Sequence, residues 1–183
     1  MLLSLTLINI ATAQDFPNLG LNNDSNGKFS FIQMNEHYAM TAKHISTLKN
    51  HDYECSTGCD LVFFKHEDKN FKPYQWRRPV INESVTQVGI TRDGTSIVKK
   101  GVVTDVYTKP SNDSQFYRMS TTSNTVKGMS GGPVYGQDGK LIGMTIGTPE
   151  DKNYSDKVKS VFNPYEIIEM EWNIFQKSKY EGL

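Results

Sequence analysis

The sequence lacks an excess of charge of either sign, because 20 Lys and Arg residues balance 20 Asp and Glu residues among 183. It also lacks a run of basic residues, the electrostatic footprint that nucleic-acid binding requires, so we expect no nucleic-acid partner. Neither a repeat of fixed period nor a low-complexity linker marks a boundary between independent domains. The length therefore favours one domain or two small halves that share a core.

Cysteine is scarce, since Cys55 and Cys59 are the only two. Two cysteines cannot complete a structural zinc site without help from His51 or another residue, so a zinc site is the weaker interpretation. An even pair in an exported chain favours a small disulfide-closed loop, which would stiffen the turn before Asp60. Two unrelated thiols are the alternative.

A long hydrophobic run is missing too. Residues 1–13 (MLLSLTLINIATA) are uncharged and mostly apolar, but a bilayer core requires about 20 such residues, so a transmembrane anchor is not expected. The run ends in a small-x-small pattern typical of signal peptidase sites, although no basic residue precedes it. We predict a signal peptide at 1–13, a secreted or periplasmic protein and no membrane attachment after cleavage. A buried N-terminal strand is the alternative.

Aromatic residues, by contrast, are plentiful. Hydrophobic residues make up 37% of the chain, with nine Phe and nine Tyr, which is enough to bury a core. Segments of strand character recur between turn signals, and Asp93-Gly94 and Asp138-Gly139 predict hairpin turns. This pattern predicts an all-β fold. The predicted strands cover residues 29–34, 38–41, 61–66, 84–90, 96–107, 116–121, 133–135 and 141–146.

One segment favours a helix instead. After Asn163-Pro164, four apolar residues fall on a single helical face. Asn163 is the predicted N-cap, with Pro164 in the first turn. We expect this C-terminal helix to pack its apolar face against the β-structure. The four residues are Tyr165, Ile168, Trp172 and Phe175.

Three segments carry side chains suited to nucleophilic catalysis. Residues 128–133 (GMSGGP) surround Ser130 with glycines, which suits a tight turn whose amides can face a substrate. His44 follows a strand-like run and could accept the proton of a nucleophilic serine. Asp60 opens an apolar strand and could orient the imidazole. Taken singly, they are more often a hairpin loop, a structural histidine and a turn residue.

In the order His, Asp, Ser, these segments together resemble the chymotrypsin-like (trypsin-like) serine protease family. Residues 41–44 (TAKH) are similar to its Thr-Ala-Ala-His signature, 60–62 (DLV) to Asp-Ile-Ala, and 128–133 to Gly-Asp-Ser-Gly-Gly-Pro. The similarity runs from about Phe29 to Phe175 and looks closer to the bacterial secreted and heat-shock-type branches than to the vertebrate digestive ones. It implies two antiparallel six-stranded β-barrels and a C-terminal α-helix. The halves of this one peptidase domain would be residues 14–82 and 83–183.

The resemblance also implies the chemistry, which is hydrolysis of protein or peptide substrates by a serine endopeptidase with no metal or other cofactor. Ser130 would be the nucleophile, His44 the general base and then acid, and Asp60 the residue that fixes the imidazole tautomer. The backbone N–H groups of Gly128 and Ser130 would form the oxyanion hole.

Two features depart from the family pattern. Only 16 positions separate His44 from Asp60, fewer than is usual, and Asp52 and Asp68 are weaker substitutes for the acid. Met129 stands where digestive relatives have an acidic residue that pairs with a newly cut N-terminal amine. Activation by such a cut therefore cannot operate in this chain.

The substrate pocket is expected to include Asn124, Thr125, Thr145, Ile146 and Gly147. Asn124 occupies the position where a carboxylate would select Arg or Lys, so trypsin-like specificity is not expected. Hydroxyls of Thr125 and Thr145 would lie near the pocket. The preferred substrate side chain is then either Glu or a small or polar one. The alternatives to a peptidase are an inactive binding module on the same fold and an esterase that uses the same serine.

Overall fold

The computed structural model describes residues 19–24, 27–45, 48, 50–91, 95–109, 116–149 and 158–181. These residues contain eleven strands and one helix. The elements are β1 Leu19–Asp24, β2 Gly27–Gln33, β3 Tyr38–Thr41, β4 Tyr53–Glu54, β5 Val62–Lys65, β6 Ser84–Ile90, β7 Ser96–Lys109, β8 Phe116–Thr121, β9 Pro133–Tyr135, β10 Leu141–Gly147, β11 Ser160–Pro164 and α1 Tyr165–Glu181. The predicted signal peptide and the Asp93-Gly94 turn lie outside the described residues.

The second half of the chain forms a closed barrel of six strands in the order β10-β11-β8-β7-β6-β9. All neighbouring strands in it are antiparallel. The prediction of a six-stranded barrel is confirmed for this half. Its interior is filled by six buried apolar side chains, Val85, Val103, Met119, Val134, Ile142 and Phe162.

The first half forms a five-stranded antiparallel sheet in the order β1-β2-β3-β5-β4. Within the described residues this sheet does not close on itself, so the prediction of a first six-stranded barrel is not confirmed. The edge strand β4 pairs only Tyr53 and Glu54 with β5, because the Cys55–Cys59 loop follows immediately. A two-residue edge strand offers too few backbone groups to continue the sheet around a barrel.

Most predicted strands agree with the structure. The bounds of β3, β6, β8 and β9 coincide with the predicted segments, and the others differ by a few residues. The Asp138-Gly139 hairpin is confirmed, since Gly139 has φ 76° and the Gly136 amide donates to the carbonyl of Lys140 at 2.9 Å across the turn. Strands β1, β4 and β11 were not predicted.

The C-terminal helix is confirmed, but its predicted N-cap is wrong. Asn163 lies in β11, where it pairs with Met144, and α1 begins at Tyr165. An N-cap accepts a hydrogen bond through its side-chain oxygen. The Oδ1 atom of Asn163 is buried and has no hydrogen-bond partner among the described residues, while its Nδ2 donates to the backbone carbonyl of Asp60 at 2.9 Å.

The apolar face of α1 packs on the first sheet as predicted. The ring centroid of Phe175 lies 4.9 Å from that of Tyr38 and 5.4 Å from that of Phe63, and the Trp172 centroid lies 5.0 Å from Phe63. One core cluster combines side chains from both sheets and from the helix. The two halves are therefore fixed against each other by shared apolar contacts. No helix in the described part of the chain has the length and apolar character needed to cross a membrane.

Candidate active site

His44 and Asp60 meet because β3 and β5 are paired. The register places Thr41 opposite Val62, so the residues just after β3 lie beside those just before β5. The Oδ2 atom of Asp60 contacts Nδ1 of His44 at 2.5 Å, and Oδ1 accepts the backbone amide of His44 at 2.9 Å. Both carboxylate oxygens are therefore engaged by the same histidine.

The surroundings keep Asp60 ionised. Burial of Asp60 would raise its pKa, but hydrogen bonds from His44, its positive charge and that of Arg118 oppose this and bring the pKa below the ordinary value. The Asp60 side chain is only 15% exposed, whereas that of His44 is 48% exposed and reaches the solvent side of the site. A shielded carboxylate beside an accessible imidazole is the arrangement that an orienting acid and a base require.

The two substitute acids lie elsewhere. Asp52 accepts the backbone amide of Lys65 at 3.0 Å and contacts Lys179 at 3.3 Å. Asp68 accepts the backbone amide of Asn70 at 2.9 Å. Of the three carboxylates that the sequence offers, the structure brings Asp60 to His44.

The loop before Asp60 is closed by the predicted disulfide between Cys55 and Cys59, whose Cα atoms are 5.5 Å apart. It also rests on Glu171, a fully buried carboxylate of α1. Glu171 accepts the Ser56 amide at 2.8 Å, the hydroxyls of Ser56 and Thr57 at 3.1 Å each, and the Tyr53 hydroxyl at 2.7 Å. Sequence reasoning missed Glu171, because nothing local relates it to a loop about 115 residues earlier.

Cys55, Cys59 and Glu171 also form a group whose potential metal-ligating atoms lie within 4.8 Å of one another. Cysteine binds zinc as a thiolate, however, and both sulfurs of this group are consumed by the disulfide. The Glu171 oxygens are taken up by hydrogen bonds from the loop. In its oxidised form the group is therefore a structural support for the segment that leads to Asp60.

Ser130 lies between β8 and β9 in two consecutive tight turns. The Met129 amide donates to the carbonyl of Val126 at 3.1 Å, and the Gly132 amide donates to the carbonyl of Met129 at 3.0 Å. The third residue of each turn is a glycine with positive φ, 103° at Gly128 and 84° at Gly131. A four-residue turn with positive φ at its third residue alone is type II, which explains the glycines.

The glycines that follow Ser130 are also required by close packing. A Cβ atom on Gly131 would lie 2.1 Å from Oγ1 of Thr41, and one on Gly132 would lie 2.0 Å from the carbonyl oxygen of Val88. Both distances are far below van der Waals contact. The Ser130 turn is thus pressed between the first sheet and the barrel.

The backbone amides around Ser130 divide into two sets. Those of Met129, Gly131 and Gly132 donate to carbonyls, with Gly131 bonded to Thr145 at 2.9 Å. Among the described residues, the amides of Gly128 and Ser130 have no acceptor. These two are the amides predicted to form the oxyanion hole, and they remain available to bind an oxyanion.

His44, Asp60 and Ser130 line one cleft of about 390 Å³. Thr125, Ile146 and Gly147, three of the predicted pocket residues, also line it, and a Cβ built on Gly147 would lie 3.8 Å from Oγ of Ser130. The remaining lining residues, which sequence reasoning did not select, are Arg118, Val126, Lys127 and Thr148. The position of Lys127 next to the glycine turn was a usable signal, whereas Arg118 had none.

Two predicted pocket residues do not line this cleft. Asn124 is exposed outside it. Thr145 is fully buried behind Ser130, where its hydroxyl accepts the side-chain amide of Gln87 at 2.9 Å and its backbone bonds to Gly131 and Gly132. Thr145 therefore supports the Ser130 turn from β10.

Comparison with known protein families identifies the family of the chain. Residues 25–144, more than half of the chain, match the family described as trypsin-like peptidase domain. The chain belongs to the trypsin-like peptidase family. The match includes His44, Asp60 and Ser130, and the family resemblance identified from the sequence is confirmed. A search of curated proteins gives no significant match.

Several solved structures, among them protease domains, share the fold. An inactive form of Rv3671c from M. tuberculosis is 12% identical, with a TM-score of 0.73 over 90% of this chain and 89% of that one. The MamO protease domain from Magnetospirillum magneticum is 17% identical, with a TM-score of 0.64 over 84% and 95%. The HtrA-type protease AlgW with a decapeptide is 17% identical, with a TM-score of 0.65 over 81% and 51%. At these identities the likeness shows the fold alone.

Proposed function

We propose that the chain is a serine endopeptidase in which Ser130, His44 and Asp60 form the catalytic triad. The observation that carries the proposal is that the bonded His44–Asp60 pair and Ser130 line one cleft. The amides of Gly128 and Ser130, which have no acceptor among the described residues, lie in the same turn. A nucleophile, its base, the orienting acid and oxyanion donors are the parts that acyl transfer requires.

Asp60 sets the proton position on His44. Because its pKa is lowered, Asp60 is a carboxylate at neutral pH and can only accept hydrogen bonds. The Nδ1 atom of His44 must then carry the proton in their 2.5 Å contact. In the neutral imidazole this tautomer leaves the Nε2 atom of His44 without a proton, which is the state that a general base needs.

Acylation uses that tautomer. The Ser130 Oγ attacks the substrate carbonyl carbon while its proton passes to Nε2 of His44, and the carbonyl oxygen becomes an oxyanion bonded to the amides of Gly128 and Ser130. The tetrahedral intermediate collapses as the C–N bond breaks. The leaving amine takes the proton from Nε2, and the acyl group remains as an ester on Ser130.

Deacylation repeats the sequence with water. His44 removes a proton from water, the hydroxide attacks the ester carbon, and the same two amides bind the second oxyanion. The C–O bond to Ser130 breaks and the proton on Nε2 returns to Oγ. The products are the two peptide fragments, and the enzyme is regenerated without an external oxidant or reductant.

A peptide is the proposed substrate. The cleft is open and lined by both polar and apolar groups, and the AlgW structure of the same fold is one solved with a decapeptide. Within the lining, the only carboxylate is Asp60, which is bonded to His44. Substrates with basic side chains therefore find no free carboxylate among the described cleft residues.

We also propose that residues 1–13 direct export and that residues 14–82 and 83–183 are the two halves of one peptidase domain. The first sheet would be the counterpart of the first barrel. The Cys55–Cys59 disulfide supports an exported protein, because such bonds persist in oxidising compartments. N-terminal sequencing of protein recovered from the periplasm or medium tests the export proposal, which predicts a start near Gln14.

The function is tested by reaction with a fluorophosphonate probe, followed by peptide mass mapping of wild type, Ser130→Ala and His44→Ala. The proposal predicts a single adduct on Ser130 that requires His44, together with cleavage of a peptide library. No adduct on well-folded protein would favour the inactive binding module. An adduct with hydrolysis of activated esters but of no peptide would favour the esterase.

A further inference from the structure

Ser30 connects the first sheet to the turn that carries the candidate oxyanion donors. It lies in β2 and is fully buried. Its hydroxyl donates to the carbonyl of Gly128 at 2.6 Å and accepts the backbone amide of Ile90, the last residue of β6, at 2.8 Å. One side chain therefore joins β2, β6 and the glycine turn.

The chemistry of the two partners fixes the direction of both bonds. A backbone amide can only donate and a carbonyl can only accept, so one orientation of the Ser30 hydroxyl satisfies both. That orientation holds the peptide plane between Gly128 and Met129 in place. The candidate oxyanion amide of Gly128 lies in the preceding peptide plane. The type II turn, closed by the bond from the Met129 amide to the Val126 carbonyl, couples the two planes, so fixing the Gly128 carbonyl restricts where that amide can point.

Gly128 packs closely against the backbone of Ile90, but few other polar contacts restrain this side of the turn. In the described residues, the other backbone bonds from outside the turn join Gly131 and Gly132 to Thr145, beyond Ser130. The Met129 side chain is fully buried and apolar, so it offers no charge to fix the turn. The Ser30 hydroxyl is thus the polar contact at the Gly128 end in this part of the structure.

The backbone of Ser30 is tied down as well. Its carbonyl accepts the hydroxyl of Thr41 at 2.7 Å, and a Cβ on Gly131 would lie only 2.3 Å from that carbonyl oxygen. Ser30 therefore cannot move away from the turn without disturbing β3. A rigid anchor of this kind is what a preorganised oxyanion hole requires.

We infer that Ser30 is a positioning residue that keeps the oxyanion turn in its binding conformation without a newly formed N-terminus. The inference rests on the proposed peptidase function, since it assigns the support of that site. Its consequence is that the folded chain has a formed oxyanion hole before substrate arrives. Loss of the hydroxyl should weaken transition-state binding more than substrate binding.

The test compares Ser30→Ala with Ser120→Ala in the full chain. Ser120 is an equally buried serine whose hydroxyl contacts Thr104 at 2.8 Å and the carbonyl of Asp105 at 3.1 Å, and it does not line the cleft. We expect Ser30→Ala to lower kcat about tenfold with KM changed less than about twofold. Inhibition by a peptide boronate should weaken by a similar factor, and Ser120→Ala should change neither.

A second measurement separates this inference from the proposed function. In ¹⁵N NMR spectra of the full chain, Ser30→Ala should shift or broaden the amide signals of Gly128 and Ser130, whereas Ser120→Ala should leave them unchanged. This holds whether or not the protein cleaves peptides. Unchanged signals in folded Ser30→Ala, or kcat equal to wild type, would overturn the inference. If Ser30→Ala does not fold, Ser30→Cys places a larger side chain with a weaker donor at this position and should show the same changes, smaller in size.

Discussion

The side-chain amide of Asn163 donates to the backbone carbonyl of Asp60 at 2.9 Å. This bond joins the last barrel strand, just before the C-terminal helix, to the residue that contacts His44. Together with Glu171, which accepts hydrogen bonds from the preceding loop, it makes the C-terminal segment a support for the acid of the proposed triad.

Removal of the Asn163 amide should loosen Asp60. Asn163→Leu fills the buried site but leaves the Asp60 carbonyl without its donor, at a cost of about 1–3 kcal/mol in the free energy of unfolding. Because Asp60 would no longer be fixed against His44, kcat/KM should fall at least about tenfold. Urea unfolding and peptide hydrolysis measure the two effects. Asn173→Leu, on the exposed side of α1, is the control, and equal activity of the two variants would exclude a role for the bond.

Glu171→Gln should destabilise the loop before Asp60. An amide has one acceptor oxygen in place of two, so part of the set of donors from Tyr53, Ser56 and Thr57 is left unsatisfied. We expect a loss of about 1–3 kcal/mol in the free energy of unfolding. The matched change Glu169→Gln, on the exposed face of the same helix, should cost less than about 0.5 kcal/mol. Equal urea midpoints for Glu171→Gln and Glu169→Gln would contradict the role assigned to Glu171.

The lowered pKa of Asp60 predicts a specific pH dependence of stability. A carboxyl whose pKa is lower in the folded state contributes stability above its unfolded pKa, and this contribution is lost as the pH falls through the folded pKa. Wild type should therefore lose more stability than Asp60→Asn between about pH 5 and pH 2. Other carboxyls contribute to both curves, so the difference isolates Asp60. Parallel curves would show that His44 does not stabilise the Asp60 carboxylate.

Lys127 should influence which substrates are cleaved. It is exposed at the cleft, within the turn that carries Gly128, and Arg118 lines the same cleft. We expect peptides with Glu near the scissile bond to be cleaved faster than matched peptides with Lys. Lys127→Glu should reduce that ratio of kcat/KM values about two- to fivefold, as is usual for one exposed charge pair. Lys177→Glu on α1 should leave the ratio unchanged, and the same change in both variants would point to net charge alone.

Local sequence signals predicted much of the fold. The segments Tyr38–Thr41 and Ser84–Ile90 contain alternating or consecutive apolar residues between clear turn signals. The structure gives both strands the predicted bounds. The two-residue β4 is too short to produce a pattern. Strand β11 was missed because Asn163-Pro164 is typical of a helix start, while tertiary pairing with β10 keeps Asn163 extended.

The residues of the candidate site also fall into two groups, those that local motifs predict and those that they do not. His44, Asp60 and Ser130 lie in short motifs that a sequence displays directly. Their supports, Ser30 and Glu171, are isolated polar residues about 100 positions or more away from the turn and the loop that they support. No local pattern indicates such pairs, because only the closed barrel and the packed helix bring them together.

The most direct test of the account is to trap the acyl-enzyme. Wild type mixed with an activated acyl ester at low pH and quenched within milliseconds should show one added acyl mass on the tryptic peptide that contains Ser130. Ser130→Ala should show no such mass and no turnover of peptide substrates. Hydrolysis by Ser130→Ala at the wild-type rate, or an acyl group on another residue, would contradict the proposal that Ser130 is the nucleophile.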